Sequence, residues 1–232
     1  MFLIVTGGEP PSRGLLLAKA SDAAWIVAAD RGAGYCLDAG ITPHLVVGDM
    51  DSLDDGAYRR LAASGVEIMQ FDTRKDRTDT EIALDEAVGR GARHVEILGA
   101  TGDRLDHTLA NVHLLYAALR HGVSAHIVTD SQQVFLVDSR AVLEHCQGCT
   151  VSFLPLTGEV RGVVLEGFAY ELSDATMEIG RPCGVSNVVR DPRAGITVRE
   201  GVLLAVLFVD AYREEARVVT GAEVDAIVDH EE

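Results

Sequence analysis

Short runs of aliphatic and β-branched residues recur through the first 130 positions, at 2–6, 25–29, 44–47, 66–70, 94–98 and 125–128. Each is apolar at most positions and too short for a globular helix, the pattern of a strand buried on both faces. Between them the apolar spacing changes to three and four. The clearest case is Leu105, Leu109, Val112, Leu115 and Leu119, which predicts a helix of about four turns with one apolar stripe. Alternating strand and helix predicts βαβ units, hence a Rossmann-like, mostly parallel sheet with flanking helices.

Past residue 131 the texture changes. Short β runs at 134–137, 141–145, 150–156, 160–165, 196–199 and 202–209 are punctuated by glycines, among them Gly158, Gly162, Gly167 and Gly201. This predicts a C-terminal all-β sandwich. The fold class expected is therefore α/β followed by a β-sandwich, with domains at 1–130 and 131–212. Positions 213–232 are polar, with a weak helical pattern at Val224, Ile227 and Val228, and are expected to be an appended helix or a loose tail.

Composition narrows what such a chain does. A formal charge of -16 argues against a nucleic-acid surface, which needs a basic footprint, and against an anionic membrane. Phosphorylated substrates stay open, because carboxylate-bound divalent cations reverse the local sign. The first residues lack a basic n-region, and no apolar stretch spans a bilayer, so the cytoplasm is the expected compartment. Cys146 and Cys149 form one C-x-x-C, but no second pair completes a zinc site. We read them as small residues at a turn around Gly148.

The candidate chemistry lies at strand ends, where open α/β sheets bind ligands. Asp49 and Asp51 follow the apolar run Leu45-Val46-Val47 directly. If the segment stays extended, the two carboxylates point the same way, roughly 6–7 Å apart. Their repulsion, about 2–3 kcal/mol at an effective dielectric near 20, becomes attraction once a divalent cation sits between them. An Asx turn and a cap for a helix after Ser52 would account for the same residues. A second cluster, Asp72-Thr73-Arg74-Lys75-Asp76-Arg77-Thr78-Asp79, precedes a predicted helix; its acids suit metal, its cations suit phosphate, and Asp76 or Thr78 equally suits a helix cap. The third is Gly99-Ala100-Thr101-Gly102-Asp103-Arg104-Leu105-Asp106-His107, a glycine turn into a helix that matches neither a P-loop nor G-x-G-x-x-G. Asp30 is a fourth strand-end acid. Capping alone does not explain four acidic strand ends in one sheet.

In order along the chain, Ala29-Asp30-Arg31-Gly32-Ala33, Gly48-Asp49-Met50-Asp51-Ser52, Asp76-Arg77-Thr78-Asp79, Gly102-Asp103-Arg104-Leu105-Asp106-His107 and Gly184-Val185-Ser186-Asn187 resemble the motifs of the thiamine pyrophosphokinase family. The resemblance runs from about residue 2 to 209. It implies transfer of the pyrophosphoryl group of ATP to the thiamine hydroxyl, giving thiamine diphosphate and AMP. It also implies a catalytic, nucleotide-binding α/β domain, a thiamine-binding sandwich and a homodimer with thiamine at the subunit interface. Carried over motif by motif, Asp49, Asp51 and Asp79 would be magnesium ligands. Asp30, Asp76 and Asp106 would bind metal or orient substrate, with Asp30 or Asp106 the acceptor of the hydroxyl proton. Lys75, Thr78 and Arg104 would face the phosphates, and Ser186 and Asn187 would contact thiamine. Asp103 departs from the family, which more often has glycine there. Two other readings stand beside this one: a pyrophosphokinase for another hydroxymethyl heterocycle such as a pterin, and a non-catalytic regulator that binds nucleotide or thiamine.

Overall fold

The structure, a computed structural model, describes residues 1–51, 55–71, 76–209, 216–221 and 224. The chain divides into two compact units, Met1–Asp130 and Ser131–Glu232.

In the first unit, six strands run parallel: β1 (Phe2–Val5), β2 (Trp25–Ala29), β3 (Leu45–Gly48), β4 (Glu67–Gln70), β5 (His94–Leu98) and β6 (Ser124–Val128). Their order is β4-β3-β2-β1-β5-β6. The helices between them are α1 (Arg13–Asp22), α2 (Gly32–Ala39), α3 (Asp55–Ala63), α4 (Asp79–Gly89) and α5 (Leu105–Arg120). The two-residue period of a strand sorts its side chains between two cores. Leu3, Val5, Ala28 and Val46 pack in one cluster with Ala33, Cys36 and Ala39 of α2. Ile4, Val27 and Val47 alternate with them and are equally buried. Burial of both sets requires a layer on each face, and α4, which packs over β1, β2 and β3, supplies the second. This is the parallel, two-sided sheet that the apolar runs predict.

Strand order reverses at β1, which has β2 on one side and β5 on the other. In doubly wound sheets ligands bind beyond the carboxyl ends of the strands at such a reversal. Backbone bonds tie the loop after β1 to the loop after β5: Gly8 N donates to Gly99 O at 2.8 Å and Glu9 N to Thr101 O at 2.6 Å. Only a residue without Cβ fits at position 8, since a Cβ there would lie 2.2 Å from Thr101 O.

The predicted α5 forms, but the N-terminal part of the predicted stripe does not face inward. Leu105 and Leu109 are 68% and 51% exposed, whereas Asn111, Leu115 and Ala118 are buried. Asn111 is held inside because its amide donates to Ala100 O at 2.8 Å, closing the loop after β5. Apolar spacing cannot register that polar anchor.

The second unit is antiparallel. Its strands are β7 (Gln132–Val137), β8 (Arg140–Glu144), β9 (Thr150–Pro155), β10 (Glu159–Glu166), β11 (Leu172–Glu178), β12 (Gly184–Val188), β13 (Arg193–Thr197), β14 (Leu203–Phe208) and β15 (Arg217–Thr220). They pair in the orders β12-β9-β14-β7 and β11-β10-β13-β8-β15. One core draws Phe135, Phe153 and Leu207 from the first set and Leu143, Val163 and Ile196 from the second, as in a sandwich. Cys146 and Cys149 are buried around the expected turn, closed by Cys149 N donating to Cys146 O at 2.9 Å. One expectation is corrected here. Within the segment expected to be an appended helix or loose tail, Arg217–Thr220 is a strand, paired antiparallel with β8.

Candidate active site

Two of the predicted acids, Asp30 and Asp79, border Gly48 at the carboxyl end of β3. Asp30 ends β2 with φ at +53°, a conformation that non-glycine residues rarely adopt. Its amide donates to Val47 O at 2.9 Å, so β3 continues to hold it past the end of its own strand. A Cβ built on Gly7 would lie 3.3 Å from Asp30 Oδ2, which puts that carboxylate beside the loop after β1. A Cβ on Gly48 would lie 3.4 Å from Asp30 N and 3.8 Å from Asp79 Cγ. Gly48, with φ at +153°, thus keeps open the small space that the Asp79 carboxyl and the Asp30 backbone border. Asp79 opens α4, which the buried bond between Thr6 Oγ1 and Thr80 Oγ1, at 2.8 Å, ties to the end of β1.

Asp49 and Asp51 lie directly past β3, but not on an extended segment as the sequence suggested. Met50 has φ at +68°, and Asp51 N donates to Asp49 Oδ1 at 2.9 Å. The chain has turned, and one Asp49 oxygen stabilises that turn. The Asx turn expected of this pair is made. Ser52 and the acidic-basic stretch that includes Arg74 and Lys75 lie outside the described residues.

The second cluster divides. Thr78 is the N-cap of α4, its hydroxyl oxygen accepting from Glu81 N at 3.1 Å. Its hydroxyl proton can still be donated, so capping does not exclude a phosphate contact. Asp76 is exposed in the bend before it. Arg77, which suited phosphate on sequence grounds, runs along α4 instead to pair with Glu81 at 3.1 Å and with Asp85.

At the start of α5, Arg104 and Asp106 form a fork. Arg104 Nε donates to Asp106 Oδ1 at 2.9 Å and Nη2 to Oδ2 at 2.6 Å. The guanidinium holds the Asp106 carboxyl well below the usual carboxylate range. Asp103 is exposed one residue earlier.

In the second unit, Ser186 and Asn187 have different situations. Ser186 is exposed, with φ at +60°, at an irregularity where β12 slips against β9. Its amide donates to Ser152 Oγ at 3.1 Å. Asn187 is 5% exposed, and its amide is spent on backbone. It accepts from Tyr170 N at 3.0 Å and donates to Tyr170 O at 2.8 Å. The consequence is Tyr170 itself, 71% exposed on a loop clamped from both sides of its peptide. Sequence reasoning missed Tyr170. The one available signal was a pair of aromatics, Phe168 and Tyr170, just past Gly167 and followed by Glu171.

Oxygen donors at the carboxyl ends of a parallel sheet suit a hard cation such as magnesium, which takes one or two carboxylates together with phosphate oxygens and waters. Among the described residues no group of three acidic, histidine or cysteine side chains is gathered closely enough to hold a metal unaided. A switch-point sheet with acids at its strand ends, joined to an all-β unit, is the frame of a nucleotide-dependent transferase. Residues 17–127 match the family described as thiamin pyrophosphokinase, catalytic domain, and residues 136–203 match thiamin pyrophosphokinase, vitamin B1 binding domain. The thiamine pyrophosphokinase of Bacillus subtilis (strain 168) is 28% identical over 188 residues, 80% of this chain and 87% of the relative. The solved structure of the Geobacillus thermodenitrificans thiamin pyrophosphokinase superimposes with a TM-score of 0.79 at 30% identity, covering 91% of this chain and 99% of its own. That of the Bacillus subtilis enzyme gives 0.81 at 27% identity, covering 90% and 99%. The chain belongs to the thiamine pyrophosphokinase family and is an ATP-dependent diphosphotransferase. No helix among the described residues is long and apolar enough to cross a membrane.

Proposed function

We propose that this chain transfers the pyrophosphoryl group of ATP to the hydroxyl of thiamine, giving thiamine diphosphate and AMP. The observation that carries this reading is that Asp30 and Asp79 border Gly48 at the carboxyl end of β3, directly before the Asp49-Met50-Asp51 turn, inside the region that matches the catalytic family. The division of labour follows the two matches: unit 1 takes the nucleotide and performs the transfer, and the sandwich recognises thiamine.

In this reading Asp49, Asp51 and Asp79 hold magnesium. The cation supplies charge neutralisation on the phosphates, the main requirement of a phosphoryl transfer. The protein's own part is positioning. Lys75 and Arg104 face phosphate oxygens, and the N-terminus of α4, with Thr78 as its cap, favours the anion. Asp76, exposed just before that helix, orients the metal-bound substrate. Asp30 or Asp106 accepts the proton of the thiamine hydroxyl. In the sandwich, Ser186 contacts thiamine directly. Asn187 acts through Tyr170, whose exposed ring offers an aromatic face to a cationic heterocycle. A homodimer belongs to the same reading; the exposed Leu105 and Leu109 on α5 offer a surface for it, and light scattering tests it. The cytoplasm is the compartment that belongs to this reading.

The decisive assay incubates the purified chain with ATP, magnesium and either thiamine or a hydroxymethylpterin, and separates the products by chromatography. AMP and thiamine diphosphate are expected with thiamine alone. AMP release with the pterin but not with thiamine, or binding of thiamine with no turnover under any divalent metal, overturns the reading.

A further inference from the structure

Arg104 and Asp106 stand two residues apart at the start of α5, and in the structure each occupies the other. The Nε–Nη2 edge of the guanidinium takes both carboxylate oxygens, at 2.9 and 2.6 Å. This is the edge best suited to bidentate recognition of a phosphate, and it holds both oxygens that Asp106 would use on a substrate hydroxyl. While the fork is closed, Arg104 can offer a phosphate only Nη1 and the second Nη2 hydrogen, and each Asp106 oxygen has already spent one acceptor site on the guanidinium. Both side chains are largely exposed, 70% and 64%, so little besides their mutual attraction keeps it closed. A terminal phosphate carries more negative charge than a carboxylate and presents several oxygens, so it is the stronger partner for the same edge.

We propose that the Arg104–Asp106 fork is an exchangeable latch: phosphate oxygens of the nucleotide displace Asp106 from Arg104, and Asp106 is released toward the acceptor hydroxyl only when nucleotide is in place. The inference rests on the functional reading above and adds an order of events to it. Only hydrogen-bond partners are exchanged; no covalent bond changes in this step. Asp106 competes with the nucleotide for Arg104, and the exposed Asp103 beside it adds to the negative field that the nucleotide must overcome.

The test is a double-mutant cycle read by calorimetry, with a non-hydrolysable ATP analogue at saturating magnesium and no thiamine. Asp106→Asn is expected to bind the analogue about twofold to fivefold more tightly than wild type, the range in which exposed ion pairs act. In an Arg104→Gln background the same substitution is expected to change nothing. Equal tightening in both backgrounds would show a general charge effect and overturn the latch. Weaker binding in Asp106→Asn overturns it too, by showing that the carboxylate orients the arginine or holds metal. Far-ultraviolet circular dichroism and a thermal melt verify folding of each variant, and Asp106→Ala repeats the cycle with a different side chain. Wild-type protein that binds no nucleotide sinks the functional reading along with the latch; wild type that turns over thiamine while the cycle fails sinks the latch alone.

Discussion

The two units place their candidate residues by different means. In the parallel unit, Asp30, Asp49 and Asp79 are carried by the ends of buried strands and the start of a packed helix, so the sheet itself sets their positions. In the sandwich, Ser186 sits on β12, an outermost strand of its sheet among the described residues, at a slip in register. One buried amide, that of Asn187, takes both the N–H and the C=O of Tyr170, beside backbone bonds such as Ala169 N to Val188 O. A sheet of many strands tolerates the loss of one carboxylate; the Tyr170 peptide gives both its N–H and its C=O to one side chain and loses both partners with it. Chemistry and stability should therefore separate in the first unit and fall together in the second.

The largest effect is expected for Asp79→Asn. Turnover should fall about 10²–10³-fold, as when one charge-stabilising group is removed from a transfer site. The melting temperature should stay within a degree or two of wild type, read by AMP release and calorimetry on one preparation. A matching fall in stability would erase the contrast between the units. Asn187→Ala comes next. It leaves the Tyr170 N–H and C=O without their partner, at a cost of about 1–3 kcal/mol. The KM for thiamine should rise several-fold while that for ATP holds. A change in the ATP value alone would place this corner outside thiamine recognition.

Acid should weaken the parallel unit through His126. Burial, with His94 beside it, pushes this imidazole down to about 3 from its ordinary 6.5. The folded protein keeps it neutral while the unfolded chain takes up a proton. Its contribution is thus complete above pH about 6.5 and is lost as pH falls toward 3, by up to about 1.4 kcal/mol per pH unit. Burial opposes the charge on Glu96, but His94 and Lys19 outweigh it and hold that carboxyl down to about 2, so its own contribution is lost only below its ordinary 4.5. Between pH 6.5 and 4.5 the slope of stability against pH should therefore flatten in His126→Gln, and an unchanged slope would assign the acid sensitivity elsewhere. The smallest effect belongs to Thr78→Ala, which removes the cap of α4 for about 1 kcal/mol. If Thr78 also faces the phosphates, as proposed, its nucleotide KM should rise modestly as well. A stability change with no kinetic change would leave it a cap only.

Particular elements show why some features were legible in the sequence. β1, β2 and β3 are buried on both faces, so they read as nearly unbroken apolar runs. The three strands that the apolar pattern does not announce, β11, β12 and β15, are the outermost strands of their sheets. An edge strand with one solvated face keeps polar residues, as in Leu172–Glu178, and its backbone pairing leaves no mark in composition. α5 was legible as a helix but not in its orientation, since Asn111 rather than Leu105 or Leu109 faces inward.

The acids were legible as a set because they follow apolar runs, which mark strand ends. Their individual geometry was not. The turn at Met50, the fork between Arg104 and Asp106, and the diversion of Arg77 along α4 depend on which partner lies within about 3 Å, a distance that sequence spacing does not encode.

Hydrophobic periodicity by itself determined the two architectures, and the ordered acidic motifs determined the family, because both are carried by residue type and local spacing. Only the tertiary structure decided that Asp30 and Asp79 border one space around Gly48, and that Asn187 spends its amide on Tyr170. Those contacts join residues 17 to 49 positions apart. They exist because parallel pairing and sheet edges bring distant backbone together, an arrangement set by the packing of the whole unit rather than by any local stretch of chain.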